Sequence, residues 1–203
     1  NFKVGSCKFS DITVFSFHPV KVITSGEGGM ALTNNKKLAW LMNNLRNHGI
    51  IRHRKDLNKK REIRGYYEQH YLGYNYRITD LQCALGLSQM NKIKKFINER
   101  NKIAQFYKKS LKNYNVKFQE IPKSVKSIYH LFIIRVNKLL KEKLFNELIR
   151  KKFLVNTHYI PIHMHPFFKK IGFKKGDFKI SEEYYKDGKK IKHGLNTEIY
   201  NNG

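Results

Sequence analysis

The alternation of apolar and polar positions along the chain predicts a short strand, a tight turn and a second strand, followed by helices. Residues 12–17, "ITVFSF", are β-branched and aromatic, as a buried strand requires. "MALTN" at 30–34 reads as a second short strand, separated from the first by the glycine turn "SGEGG". Asn34 is placed to cap a helix in which Leu38, Leu41, Met42 and Leu45 share one face, and Gly49 is placed to end it. Residues 50–72 are charged and aromatic without a period, so they read as a long surface loop.

The strongest helical signal is "ITDLQCALGLSQMNKIKKFINERNKIAQFY", from residue 78. Thr79 with Gln82 three residues on makes a capping box. Leu81, Ala84, Leu85, Ile93, Phe96, Ile97, Ile103 and Tyr107 continue a helical stripe that breaks once near its middle. From about residue 115 the pattern changes to strand, strand, helix, strand: "VKFQEI", "YHLFIIRV", "KEKLFNELIRKK" and "FLVNTHYI". This alternation fits a smaller α/β unit.

A length of 203 residues accommodates one or two domains with a core. No apolar run is long enough to span a membrane and no signal segment opens the sequence, so the expectation is a soluble, cytoplasmic chain. Cys7 and Cys83 form no C-x-x-C pattern and fit a reducing compartment. The net charge of +26 is extreme and would attract polyanions. The lysines, however, are spread along the whole chain rather than gathered into a stripe, which argues against a nucleic-acid footprint. A small anionic ligand such as a nucleotide diphosphate would benefit from the same field.

Candidate chemistry centres on Lys21, in "FSFHPVKVITSGEGGM". A lysine amine becomes a useful nucleophile when held at a fixed place beside a carbonyl. A strand end provides the fixed place, and glycines let the backbone turn tightly beside a bulky group. Ser16, five residues earlier, places a hydroxyl within reach of an anionic group near the lysine. No Gly-Lys-Ser/Thr follows the glycines, so the phosphate loop of nucleotide hydrolases is excluded. On the residues alone, a solvated surface lysine stays open as the alternative.

Three stretches carry a resemblance: "SDITVFSFHPVKVITSGEGGMALTN", "LGYNYRITDLQCALGLSQM" and "THYIPIHMHPFF". In this order they resemble successive signatures of the pyridoxal-phosphate-dependent sugar aminotransferases of the DegT/DnrJ/EryC1/StrS type, over about residues 1–186. The resemblance implies an α/β chain with part of the aspartate aminotransferase type I fold. Residues 1–77 would be the end of the large cofactor-binding domain, 78–112 a connecting helix and 113–186 a small α/β domain. Residues 187–203, polar and without an apolar period, are expected to form a divergent, loosely attached tail.

The implied activity is transamination of a UDP-linked 4-keto-6-deoxy-N-acetyl hexose, with glutamate as amino donor, in pseudaminic acid or surface-glycan biosynthesis. Lys21 would anchor pyridoxal 5'-phosphate covalently and then act as general base. Ser16 resembles the serine that bonds the cofactor phosphate. Asn75, in "GYNYR", resembles the asparagine that reaches the phosphate across a homodimer interface; on its residues alone it reads as a turn position beside Gly73. Ile160, Pro161, Ile162 and His163 resemble the stretch lining the nucleotide-sugar site. His158, His163 and His165 also raise a metal site, but no cysteine or carboxylate lies close by in sequence, so none is expected.

The family carries a long segment ahead of its lysine motif, including the aspartate that pairs with the pyridine nitrogen, and no match to it is expected in this sequence. The chain by itself is therefore expected to be inactive. Two further readings stand beside the enzyme: a non-catalytic chain that associates with a full-length relative, and a basic nucleic-acid-binding module.

Overall fold

The computed structural model describes residues 2–58 and 65–187. Expectations for the tail beyond Asp187 fall outside the described residues. The chain separates into two compact units, Asn1–Ile97 and Asn98–Gly203.

In the first unit, β1 (Thr13–Ser16) and β2 (Gly29–Leu32) form an antiparallel hairpin, with Thr13 opposite Leu32 and Ser16 opposite Gly29. Only Thr13 and Phe15 of β1 turn inward, while Val14 is exposed. The predicted buried strand is thus a one-faced ribbon, because a two-stranded sheet covered on one side leaves alternate residues in water. Helix α1 (Lys36–Leu45) follows, with Leu38, Leu41, Met42 and Leu45 half-buried as the period predicts. Its cap is Asn35 rather than Asn34: the Asn35 side chain accepts from the Lys37 and Leu38 N–H groups. Asn34 instead donates to the Ser6 carbonyl at 2.8 Å, tying the N-terminal turn to the helix entry.

Beyond α1, Gly49 adopts a φ of +67° and returns its N–H to the Asn44 carbonyl. A side chain there would collide with the Tyr71 carbonyl. The described parts of the predicted surface loop, 50–58 and 65–72, are more ordered than expected, and the rest of it lies outside the described residues. The described parts contain a ladder between β3 (Ile50–Ile51) and β4 (Glu68–Gln69), and Ile51 is only 2% exposed. Glu68 gathers the Asn58 N–H at 2.9 Å, the Tyr66 hydroxyl at 3.1 Å and the His70 ring at 2.6 Å. Such polar clusters bind a loop without an apolar period to announce them.

Helix α2 (Asp80–Met90) begins at the predicted capping box, with both reciprocal bonds between Thr79 and Gln82 present. The predicted break also occurs: α2 ends at Met90 and α3 (Ile93–Ser110) begins three residues later. The stripe differs from prediction. Leu81 is 84% exposed, and Gly86 is the α2 residue beside the Ser25 side chain, its notional Cβ 3.6 Å away. A glycine admits the closest backbone approach, so the Gly86 face of α2 lies over Ser25 and Leu81 is left outside.

In the second unit, α3 buries Ala104 and turns Arg100, Asn101 and Lys108 inward, while Ile103 stays exposed. The polar residues meet a segment rich in carbonyl oxygens. Arg100 Nη1 donates to the Tyr129 and His130 carbonyls at 3.2 Å, and Asn101 Nδ2 to the Ser127 carbonyl at 3.4 Å. The predicted strands shrink to a ladder between β5 (Lys117–Phe118) and β6 (Ile134–Arg135). Residues 153–160 form no strand, since no described segment pairs with them and extended backbone without a ladder is not a sheet. Helix α4 (Lys138–Arg150) is capped by the Asn137 side chain. A 3-10 turn (Ile162–Met164), α5 (Pro166–Lys170) and α6 (Lys179–Asp187) complete the described chain.

Candidate active site

The loop 17–28 between β1 and β2 positions Lys21. The loop folds back on the strand it leaves: the Phe17 N–H bonds the Gly28 carbonyl at 2.9 Å, and the Phe17 carbonyl takes the Ser25 N–H at 3.0 Å. Thr24 Oγ1 donates to that same carbonyl at 2.9 Å and accepts the Gly26 N–H at 2.9 Å. Ser25, 2% exposed, donates its hydroxyl to the Glu27 carbonyl at 2.8 Å. Each bond closes a donor that would otherwise be orphaned in a turn this tight.

Gly28 sits in this knot with a φ of +146°, and a Cβ there would lie 2.6 Å from Ser25 Oγ and 2.9 Å from Ile78 Cδ1. The glycines therefore serve packing of the loop on itself and on residue 78. Gly26 differs: nothing lies within 4 Å of its notional Cβ. The tight turn expected of the glycines is present, with Gly28 against Ser25 and Ile78, while the buried Ser25 had no signal in the sequence beyond its place between Thr24 and Gly26.

Lys21 is half-buried on a bend pinned by its own N–H to the His18 carbonyl at 2.9 Å. Ser16, at the end of β1, is exposed, and its hydroxyl receives the His18 N–H at 3.4 Å. Lys21 thus lies within the loop that leaves the strand end carrying Ser16. His18 is exposed, with its ring 3.9 Å from the Glu27 carboxylate. The bend fixes the Lys21 backbone, and a lysine and a serine hydroxyl are side chains of the kinds that bind an aldehyde and a phosphate.

Asn75 lies on a separate segment of the same unit, bridged to Asn47 and accepting the Arg77 Nε–H at 2.8 Å. That segment is tied to the end of α1 by the Tyr74 N–H to the Leu45 carbonyl and the Tyr76 N–H to the Arg46 carbonyl. The rings of Tyr74 and Tyr76 stack with centroids 5.2 Å apart, both exposed.

The residues 160–163 lie in the second unit and alternate. Ile160 and Ile162 are exposed; Pro161 and His163 are buried, His163 at 6% exposure. His163 Nε2 lies 2.8 Å from Glu182 Oε1, which also accepts the Gly176 N–H at 2.7 Å. The Gly176 N–H and the His163 ring hold the Glu182 carboxyl below its ordinary value, because both favour its charged form. The His158 ring instead lies against Tyr159, 4.1 Å between centroids. Among the described residues no group of three metal-ligating side chains converges, and no helix is long and apolar enough to cross a membrane.

The fold described above is shared with solved sugar aminotransferases and corresponds to about half of their chains. Spr1654 of Streptococcus pneumoniae, solved in PLP and PMP forms, superposes with TM-scores of 0.77 and 0.78 at 23% identity, over 90% of this chain. Helicobacter pylori PseC, an aminotransferase of pseudoaminic acid biosynthesis, superposes with a TM-score of 0.73 at 29% identity, over 88% of this chain and 47% of its own. The DegT/DnrJ/EryC1/StrS aminotransferase family model matches residues 3–198, and the chain belongs to that family.

A Campylobacter jejuni protein named UDP-4-amino-4,6-dideoxy-N-acetyl-beta-L-altrosamine transaminase is 37% identical over 83% of this chain and 43% of its own length. A Bacillus subtilis spore coat polysaccharide biosynthesis protein, SpsC, is 31% identical over 90% of this chain. The chain spans about half the length of the curated relatives it matches.

Proposed function

We propose that the chain supplies the lysine-bearing side of a transaminase for a UDP-linked 4-keto-6-deoxy-N-acetyl hexose, with glutamate as amino donor. The observation that carries this reading is the place of Lys21, half-buried on a bend closed by the Phe17–Gly28 and Phe17–Ser25 bonds, five residues after the Ser16 hydroxyl. Relatives named for altrosamine transamination, at 32–37% identity, support this choice of sugar.

When bound, pyridoxal phosphate supplies the electron sink that makes the carbon–hydrogen bond next to the amine acidic. The chain's residues do the rest. Lys21 holds the cofactor and moves the proton, and its bend fixes the amine relative to the strand end. Ser16 donates to the phosphate, and Asn75 serves the same phosphate from a second subunit of a homodimer. Ile160 and Ile162, the exposed members of their segment, face the sugar nucleotide.

The test is reductive labelling of the expressed chain. It is incubated with pyridoxal phosphate, reduced with borohydride, and the labelled lysine is mapped by mass spectrometry. A single label at Lys21, in a chain with 41 lysines and arginines, supports the reading. Label scattered over many lysines overturns it and favours a chain whose site is completed only with a full-length relative. Steep loss of nucleic-acid binding with salt, unaffected by Lys21→Ala, would favour the basic-module reading.

A further inference from the structure

His163 and Glu182 form a junction that the activity above does not use. His163 is 6% and Glu182 13% exposed in their side chains, and they join a 3-10 turn to a helix nineteen residues later, at 2.8 Å. The second bond to the same Glu182 oxygen comes from the Gly176 N–H, in the turn that precedes α6. The His163 ring packs on Phe178 at 4.8 Å, Phe178 on Phe173 at 6.2 Å, and Phe173 on Phe168 at 6.1 Å. One carboxylate oxygen thus ties together the 160–165 turn, the 174–177 turn and α6, around a small aromatic cluster.

We infer that Glu182 is a positioning residue: through His163 it fixes the turn at 160–165, and it does so only while its carboxylate is charged. The alternation of that turn explains what is fixed. With His163 and Pro161 drawn inward, Ile160 and Ile162 are obliged to point outward. If His163 is released, the turn can rotate, and the outward pair is no longer defined. That Ile160 and Ile162 thereby present a fixed apolar surface to a sugar nucleotide rests on the reading proposed above; the clasp itself does not.

The charge requirement follows from the bonds. A charged carboxylate oxygen accepts from two N–H groups at once, and such charge-assisted bonds are the stronger kind. A protonated carboxyl carries its own hydrogen and cannot serve both donors equally. Because the folded value of Glu182 lies below its ordinary 4.5, the clasp is complete above that ordinary value and opens as pH falls through the lowered one.

Other charged groups lie nearby. Asp177 in the 174–177 turn takes the Lys174 N–H at 2.8 Å, and Lys141 of α4 lies over the Tyr185 ring at 5.1 Å. Lys179 and Glu183 belong to α6 itself. None of these is among the groups that hold Glu182 low, which are the Gly176 and Phe178 N–H groups and the His163 ring.

The experiment is amide hydrogen exchange on the full chain, read by mass spectrometry over 160–165, with the hairpin Thr13–Leu32 and α4 as internal controls. Corrected for the intrinsic effect of pH, exchange at 160–165 in the natural chain should accelerate by about ten- to a hundredfold on acidification, the size expected for losing one charge-assisted bond. Glu182→Gln keeps an oxygen acceptor but no charge. It should exchange faster than the natural chain at neutral pH and show no acid response.

An unchanged acid response in Glu182→Gln would assign the titration to Asp177 or another group and overturn the proposal. Acceleration spread evenly over α4 and the hairpin would also overturn it, since a local clasp frees only its own turn. Labelling at Lys21 is read separately, so failure of the clasp and failure of the transaminase reading are distinguishable.

Discussion

Gly28 and Ser25 stand so close that a Cβ on the glycine would lie 2.6 Å from the serine hydroxyl oxygen. The contact closes the loop that carries Lys21. Gly28→Ala must therefore displace Ser25 or Ile78 and adopt a φ that side chains avoid. The expected cost is about 1–3 kcal/mol, from overpacking and backbone strain. Chemical denaturation measures the stability, and the borohydride experiment should show weaker labelling at Lys21.

Lys21→Arg keeps the positive charge and much of the length but removes the amine that attacks a carbonyl. Reductive labelling at this site should disappear, while the thermal midpoint stays close to that of the natural chain. A large fall in the midpoint would instead give Lys21 a structural role.

The capping box at the start of α2 gives a prediction independent of function. Thr79→Ala removes the acceptor for the Gln82 N–H and should cost about 1 kcal/mol. Thr79→Ser, which keeps the hydroxyl, should recover most of that in the same denaturation assay.

Lys152 holds a φ of +63° just past α4. Its N–H bonds the Ile149 carbonyl at 2.8 Å, and the Phe153 N–H bonds the Leu148 carbonyl at 2.9 Å. This pair of bonds is the left-handed helix ending that glycine favours. Lys152→Gly should stabilise the chain by roughly 0.5–1 kcal/mol, seen as a raised denaturation midpoint.

Arg100→Met would leave the Tyr129 and His130 carbonyls without their guanidinium donor. Bonds to a charged donor are worth about 1.5–3 kcal/mol, so destabilisation of about 2 kcal/mol is expected. Urea denaturation checks it.

Legibility in the sequence followed the reach of each signal. Thr79 and Gln82 are three residues apart, so the start of α2 could be read locally, as could the break before Ile93. The hairpin and the half-buried face of α1 also follow from local period. The shortened strand at 129–136 did not, because a ladder depends on a partner that the segment's own composition does not name. Nor did the order at 50–58 and 65–72, where the Glu68 cluster replaces apolar periodicity. At the candidate site, the strand end at Ser16 and the glycine turn after Lys21 were legible locally. Glu182 was not, since its partner His163 lies nineteen residues away.

The inward face of α3 has a consequence for how that helix can lie. Apolar contacts tolerate a helix turning about its axis, because dispersion has no direction. Arg100 and Asn101 reach three particular carbonyls at 3.2–3.4 Å, and a rotation by one residue, about 100°, would break all three bonds together. Where the core is this thin, with Ala104 the buried apolar residue of α3, those bonds act as a rotational key for the helix.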